Sequence, residues 1–404
     1  MNADSTLAIG ILIASLVVIF SYLLDIFSHR IRIPSVLLLM GFGMGINILL
    51  VASGVGVPNF SKMLPFLGTI GLILIVLEAS MHLYLTKEAL GVMSKAAISA
   101  GSLLLLTTLV VMSLLHAVSG ASLHSCLINA IPFAVISSAM AIPSTQNLSP
   151  EKKEFVIYES TISDILGILF FTLASSNLGG VDDWVLGISK SILITIFFSF
   201  VFTVGLVWLV TKLRNHVKFF LILFLLLLVY SLAKLFHLPA LLLVFLFGLA
   251  LNNTFLLNRW EWLRKQIDLV KVQEDLKYMQ VSATESTFLV RTFFFVIFGY
   301  SLQWSLILKW QVIILSFAIV AVIFGLRFVF FKLFAKKHLF PEFLIAPRGL
   351  ITVLLFYSIP PEMEILAVNL GSVFLVVVVT AMVMAAGTWK TPKEPETPVV
   401  ATKD

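Results

Sequence analysis

Six ionisable residues stand inside long apolar runs of this 404-residue chain: Glu78, Glu159, Asp164, Arg291, Arg327 and Arg348. A charged group in hydrocarbon costs at least ~2.5–3.5 kcal/mol on the insertion scale, so each of these requires a reason. The densest chemistry lies in FVIYESTISDILGILFF, residues 155–171. At ~100° per residue, Glu159, Ser160, Ser163, Asp164 and Gly167 share one helical sector of roughly 140°, while Ile162, Ile165 and Leu169 lie opposite. Carboxylates and hydroxyls therefore line one strip facing the protein interior. Asp164 lies about nine residues into the run, or roughly 14 Å at 1.5 Å per residue, near the midplane of the bilayer. An unpaired aspartate at that depth holds a proton until a small cation, offered oxygen ligands, displaces it. One residue then binds either the proton or the cation, and competition couples the two. Seryl oxygens and freed backbone carbonyls are suitable hard ligands. The arginines stay charged and cannot carry a proton. Arg327 reaches a depth similar to that of Glu159, which points to a structural Glu159–Arg327 pair that leaves Asp164 unpaired. Glu78, in LILIVLEASMHL, is embedded as well, and the neighbouring His82 reads as an ordinary interfacial histidine.

The elements that must position these groups are transmembrane helices. The chain is 60% hydrophobic and 12% charged, with a mean hydropathy of +1.07. A water-soluble chain of this length needs a charged exterior, whereas one whose surface meets lipid does not. Spanning takes about 20 apolar residues, and the runs place about thirteen spans: 7–24, 35–53, 64–84, 95–118, 125–147, 155–177, 184–211, 218–235, 238–257, 283–304, 310–334, 341–359 and 365–388. β-Barrel spans would read as short alternating segments, and the sequence has none. The first run has no positive n-region and no small-residue cleavage site, so it reads as a retained span. Loops after even-numbered spans hold only Lys62, Lys234 and Lys309, and the other loops are rich in lysine and arginine. The expected orientation therefore puts the N-terminus outside and the C-terminus in the cytoplasm of a plasma membrane.

Residues 260–280 mix apolar and charged positions and read as an amphipathic helix on the cytoplasmic face. Residues 389–404 read as a disordered tail rich in proline and charge. No loop is long enough to fold a nucleotide-binding or catalytic domain, which argues against an ATP-driven pump. The positive charge sits in short loops, so it sets topology and is no nucleic-acid signal. No HExxH, paired zinc ligands or Ser/Lys dyad marks a membrane enzyme, and no cofactor is expected. The one cysteine, Cys126, reads as a packing residue.

With an unpaired middle span, spans one to six and eight to thirteen form halves of opposite orientation, the inverted-repeat plan of secondary transporters. The fifth member of each half is interrupted: span five carries Pro132 and Pro143, and span twelve carries Pro347, Arg348 and Gly349. Interrupted helices at matching positions are pointers to a midplane ion site.

These residues resemble the monovalent cation:proton antiporter superfamily, most closely the sodium/proton exchanger branch of the NhaP type. The family's Glu-Ser-x-x-Asn-Asp on span six corresponds to Glu159-Ser160-Thr161-Ile162-Ser163-Asp164. Its acidic residue on span three matches Glu78, its arginine on span eleven Arg327, and its Arg-Gly on span twelve Arg348-Gly349. The resemblance covers residues 7–388. It implies an all-α polytopic fold in which a scaffold (about 7–84 and 218–304) and a core (about 95–177 and 310–388) are joined by a linking helix (about 184–211). The whole forms a transporter domain, 1–388, that dimerises through the scaffold in the lipid bilayer.

It further implies pH homeostasis by exchange of sodium, or lithium or potassium, for protons. Asp164 would be the carrier, Ser160, Glu78 and Ser163 further parts of the ion site, and Glu159 and Arg327 the stabilising pair. Three departures stand out. Ser163 replaces the asparagine before the carrier, and Thr-Asp-Pro in the span-five break reads Ala141-Ile142-Pro143. Arg291 is a base on span ten, the span in which the electrogenic branch has a lysine. With one carboxylate at the centre and no base there that can deprotonate, exchange is expected to be electroneutral. Other readings remain: a transporter of an anion or organic solute on the same scaffold, which Arg291 and Arg348 favour, and a non-transporting membrane sensor.

Overall fold

A computed structural model describes residues 3–31, 34–53, 60, 63–81, 83, 87–145, 148–175, 194, 197–198, 200–205, 209, 219–236, 240–253, 269–302, 304–334 and 340–389. Residues 390–404 of the expected tail 389–404, residues 254–268, His82 and most of the expected linking helix 184–211 lie outside them. Among the described residues the secondary structure is helical, without a strand. The main helices are α1 (Ala3–Ile31), α2 (Ser35–Ala52), α3 (Met63–Met81), α4 (Lys87–Ser119), α5 (Leu123–Ala134) and α6 (Pro150–Ser175). They continue with α7 (Phe219–Leu235), α8 (Ala240–Asn252), α9 (Leu269–Tyr300), α10 (Trp310–Phe334), α11 (Leu350–Tyr357) and α12 (Leu370–Trp389). Eight described stretches are long and apolar enough to cross a membrane, and three shorter apolar helices accompany them. Large apolar side chains such as Ile11, Leu16, Leu23, Phe224, Ile314 and Phe317 are exposed. That is the surface a hydrocarbon solvent demands, with backbone polar groups satisfied inside helices.

Residues 269–280, expected within a separate amphipathic helix, instead run without a break into span ten as α9. Two packing groups emerge. In one, α9 lies against α2 and α3, and α8 against α3; in the other, α4 packs on α5 and α6, and α10 on α12 and α4. Lipid tails are as apolar as leucine, so membrane helices associate largely through close packing at small residues. The α2–α9 contact is of this kind. A Cβ on Gly43 would collide with the Val296 carbonyl, and one on Gly299 with that of Met40. A cavity of about 410 Å³ lies between the groups, walled by Thr69 and Val76 of α3, Ile168 and Thr172 of α6, Tyr230 of α7 and Leu354 of α11.

Both interrupted spans are visible. Span five is helical to Ala134, extended over Val135–Ser137, then forms a short turn, Ser138–Ala141, and a 3₁₀ stretch, Ile142–Thr145. Pro132 lies inside α5 and does not end it. Span twelve begins with a 3₁₀ turn, Glu342–Leu344, is non-helical over Ile345–Gly349 and then becomes α11. The two non-helical stretches cross, and Ser137 N–H donates to the Pro347 carbonyl at 2.9 Å.

Candidate functional site

A helix interrupted inside a membrane frees backbone groups that must find partners. The side chains of α6 supply two. Ser163 Oγ accepts from Ile136 N–H at 2.9 Å, and Asp164 Oδ2 accepts from Ser138 N–H at 3.1 Å. Gly167 makes this approach possible, because a Cβ there would collide with the Val135 side chain. At the crossing, a Cβ on Gly349 would lie 2.5 Å from Ser137 Oγ and 2.8 Å from Met140 Sδ.

Arg348 serves the same backbone. Its Nε donates to the Phe133 carbonyl at 2.5 Å and its Nη1 to the Ala346 carbonyl at 3.0 Å. Phe133 is in the last turn of α5, where carbonyls lack helical partners and a cation is favoured. The Arg348 amide donates to Thr380 Oγ1 of α12 at 3.0 Å.

The two acids of α6 sit in unlike surroundings. Glu159 is 1% exposed and receives three hydrogen bonds: Arg327 Nη1 to Oε1 at 3.0 Å, Arg327 Nη2 to Oε2 at 2.9 Å, and Ser99 Oγ to Oε1 at 2.6 Å. Arg327 also donates to the carbonyls of Glu342, Phe343 and Ile345, tying α10 to the start of span twelve. Its guanidinium carbon lies 4.9 Å from the centroid of the Phe331 ring. The bidentate geometry and the extra donor are what a buried ion pair needs to offset desolvation. Asp164 is 3% exposed. It has the Ser138 amide on one oxygen, while Oδ1 is buried without a hydrogen-bond partner among the described residues. Ser137 Oγ is likewise buried and unpartnered.

The other sequence candidates fall in two places. Ser160 is buried beside Asp164 on the strip, its hydroxyl donating to the Val156 carbonyl at 2.8 Å, which leaves the oxygen able to accept. Glu78 is half-buried and turned towards α9, where Thr284 Oγ1 donates to its Oε1 at 2.8 Å. Among the described residues no hydrogen bond joins Glu78 to Asp164 or Ser160. Arg291, also on α9, donates to the Ala139 carbonyl in the short turn of span five at 3.3 Å. Ser99, Ser137, Ser138, Thr284 and Thr380 were not anticipated from the sequence. Hydroxyls recur throughout the apolar runs, and only the meeting of helices selects among them.

The same architecture occurs in the sodium proton antiporter MjNhaP1 from Methanocaldococcus jannaschii. One structure, at pH 8, superposes with a TM-score of 0.70 at 18% identity, covering 95% of this chain and 99% of that one. A second, from electron microscopy, superposes with a TM-score of 0.65 at 20% identity, covering 97% and 94%. No curated protein sequence matches the chain. The family profile described as "Sodium/hydrogen exchanger, transmembrane" matches residues 12–392. With nearly its whole length matched and its fold that of the NhaP antiporters, the chain belongs to the sodium/hydrogen exchanger family of multi-pass membrane proteins.

Proposed function

We propose that this protein is a secondary active antiporter that exchanges a monovalent cation, sodium first, for protons through Asp164. One observation carries the reading. Asp164 is buried with one carboxylate oxygen unpartnered, beside backbone interrupted in two spans. A carboxyl so placed accepts either a proton or a small cation, and it cannot hold both at once. Ser160 and Ser163 offer further oxygens nearby on the strip. Glu78 belongs at the edge of the site, engaged with Thr284.

Alternating access is supported by the two packing groups and the cavity between them, which reaches Ile168, one helical turn from Asp164. In this account α4–α6 and α10–α12 move as a core against α1–α3 and α7–α9. The protein works as a homodimer in the plasma membrane, with its C-terminus in the cytoplasm. Exchange is one-for-one and electroneutral, because one central carboxylate alternates between one proton and one cation. The anion reading loses its support, since Arg291 and Arg348 spend donors on backbone carbonyls.

Everted vesicles holding a preset acid interior test this. Sodium is expected to dissipate the gradient, while chloride at constant sodium has no effect. In proteoliposomes, clamping the potential with valinomycin and potassium should leave the sodium-driven rate unchanged. A rate that rises under the clamp would show an electrogenic cycle, and gradient dissipation by chloride would favour an anion transporter.

A further inference from the structure

Pro143 has no N–H, so the carbonyl four residues earlier, that of Ala139, receives no helical donor from it. Ala139 lies in the turn Ser138–Ala141. The leading amide of that turn, Ser138 N–H, is the one that holds Asp164 Oδ2 at 3.1 Å. The Ala139 carbonyl receives a donor from the other packing group: Arg291 Nη1 of α9, at 3.3 Å. The guanidinium thus reaches across the boundary into the broken span that supports the carrier.

Among the described residues, Arg291 also meets groups of its own side. Its guanidinium carbon lies 5.8 Å from the centroid of the Phe288 ring, one turn earlier on α9. Glu78 of α3 and Asp25 of α1 are the acids close enough to act on its charge. An arginine suits this position because its planar fork can face acids on one side and give a directed hydrogen bond on the other.

We propose that Arg291 is a positioning residue of the cation site, acting on Asp164 through the Ala139 carbonyl that Pro143 leaves open. It fixes the turn 138–141, and with it the amide that orients the carboxylate. The second oxygen of Asp164 has no partner among the described residues, so the placement of Ser138, whose amide and hydroxyl engage the carboxylate, governs where the free oxygen points. The proposal rests on Asp164 being the carrier.

The test compares Arg291→Gln, Pro143→Ala and the double variant, each as the full chain in proteoliposomes, by the sodium dependence of proton flux. Rates are normalised to folded protein measured by size exclusion. Arg291→Gln is expected to raise the apparent KM for sodium about tenfold, the scale of one lost charge-assisted hydrogen bond. Arg291→Lys, which keeps the charge and a donor, should recover most of it. Pro143→Ala returns an N–H within one turn of Ala139, so in that background Arg291→Gln should cost less than about threefold, the mark of two residues sharing one partner.

Equal costs in both backgrounds would overturn the proposal, as would a loss confined to folded protein with KM unmoved. Should Arg291→Gln fail to fold, Arg291→Met, which keeps an unbranched side chain without a donor for the Ala139 carbonyl, gives the same comparison with and without Pro143→Ala. Asp164→Asn is measured alongside. Exchange surviving in that variant removes the carrier assignment itself, whereas exchange lost there with KM unmoved in Arg291→Gln removes only the role of Arg291.

Discussion

Glu159 and Asp164 stand five residues apart on α6, both buried, and their surroundings divide two tasks between them. Glu159 is held by a bidentate guanidinium and a serine hydroxyl. That environment fixes the negative charge and, through the other donors of Arg327, fastens α6 to α10 and to the start of span twelve. Asp164 is held by Ser138 alone among the described residues, and one of its oxygens is open. An acid whose hydrogen bonds are all committed cannot take up or release an ion cheaply; one with an open position can. The same residue chemistry thus serves as a clasp in one place and a carrier one and a half turns away.

The largest effect expected from breaking this contrast is on the clasp. Glu159→Ala leaves Arg327 buried without its counter-ion, which typically costs ~3–5 kcal/mol. Thermal unfolding in detergent should show the loss, and pairing Glu159→Gln with Arg327→Gln should recover part of it. Additive losses in the double variant would mean that the two residues are not energetic partners.

A smaller pair of changes sharpens the comparison. Ser163→Ala strips the Ile136 amide of its acceptor, and a buried unpaired amide costs ~1–3 kcal/mol. Ser99→Ala removes one of three donors to Glu159, at ~1 kcal/mol. Both should lower the unfolding temperature, but only Ser163→Ala should raise the apparent KM for sodium, because it loosens the backbone beside the carrier. A KM shift of equal size in Ser99→Ala would erase the distinction between clasp and carrier.

Much of this was legible in the sequence for a physical reason. A charge in an apolar run admits few explanations, so Glu159, Asp164, Arg327 and Arg348 declare themselves, and helical spacing gives the face that Glu159 and Asp164 share. The break in span five was legible as an event but not in its place. Pro132 and Pro143 suggested it, yet Pro132 stays within α5 and the chain unwinds at Val135–Ser137. The cause is tertiary: Ser163, Asp164 and Pro347 accept the amides that unwinding releases. Glu78 shows the same limit, since its partner Thr284 lies 206 residues away on α9. The boundary before span ten was hidden because the charged stretch 269–280 continues as helix into an apolar one, and composition changes there while the backbone does not.

The central claim is that Asp164 alone exchanges a proton for a cation, and sodium-driven proton flux through purified Asp164→Asn in proteoliposomes tests it most directly. An amide cannot release a proton at any physiological pH. With insertion and folding verified by size exclusion, the variant should therefore show no flux above that of protein-free liposomes, while Ser99→Ala retains exchange. Sodium-driven proton flux in Asp164→Asn would contradict the account and place the exchanging group elsewhere, with Glu78 the next acid to examine.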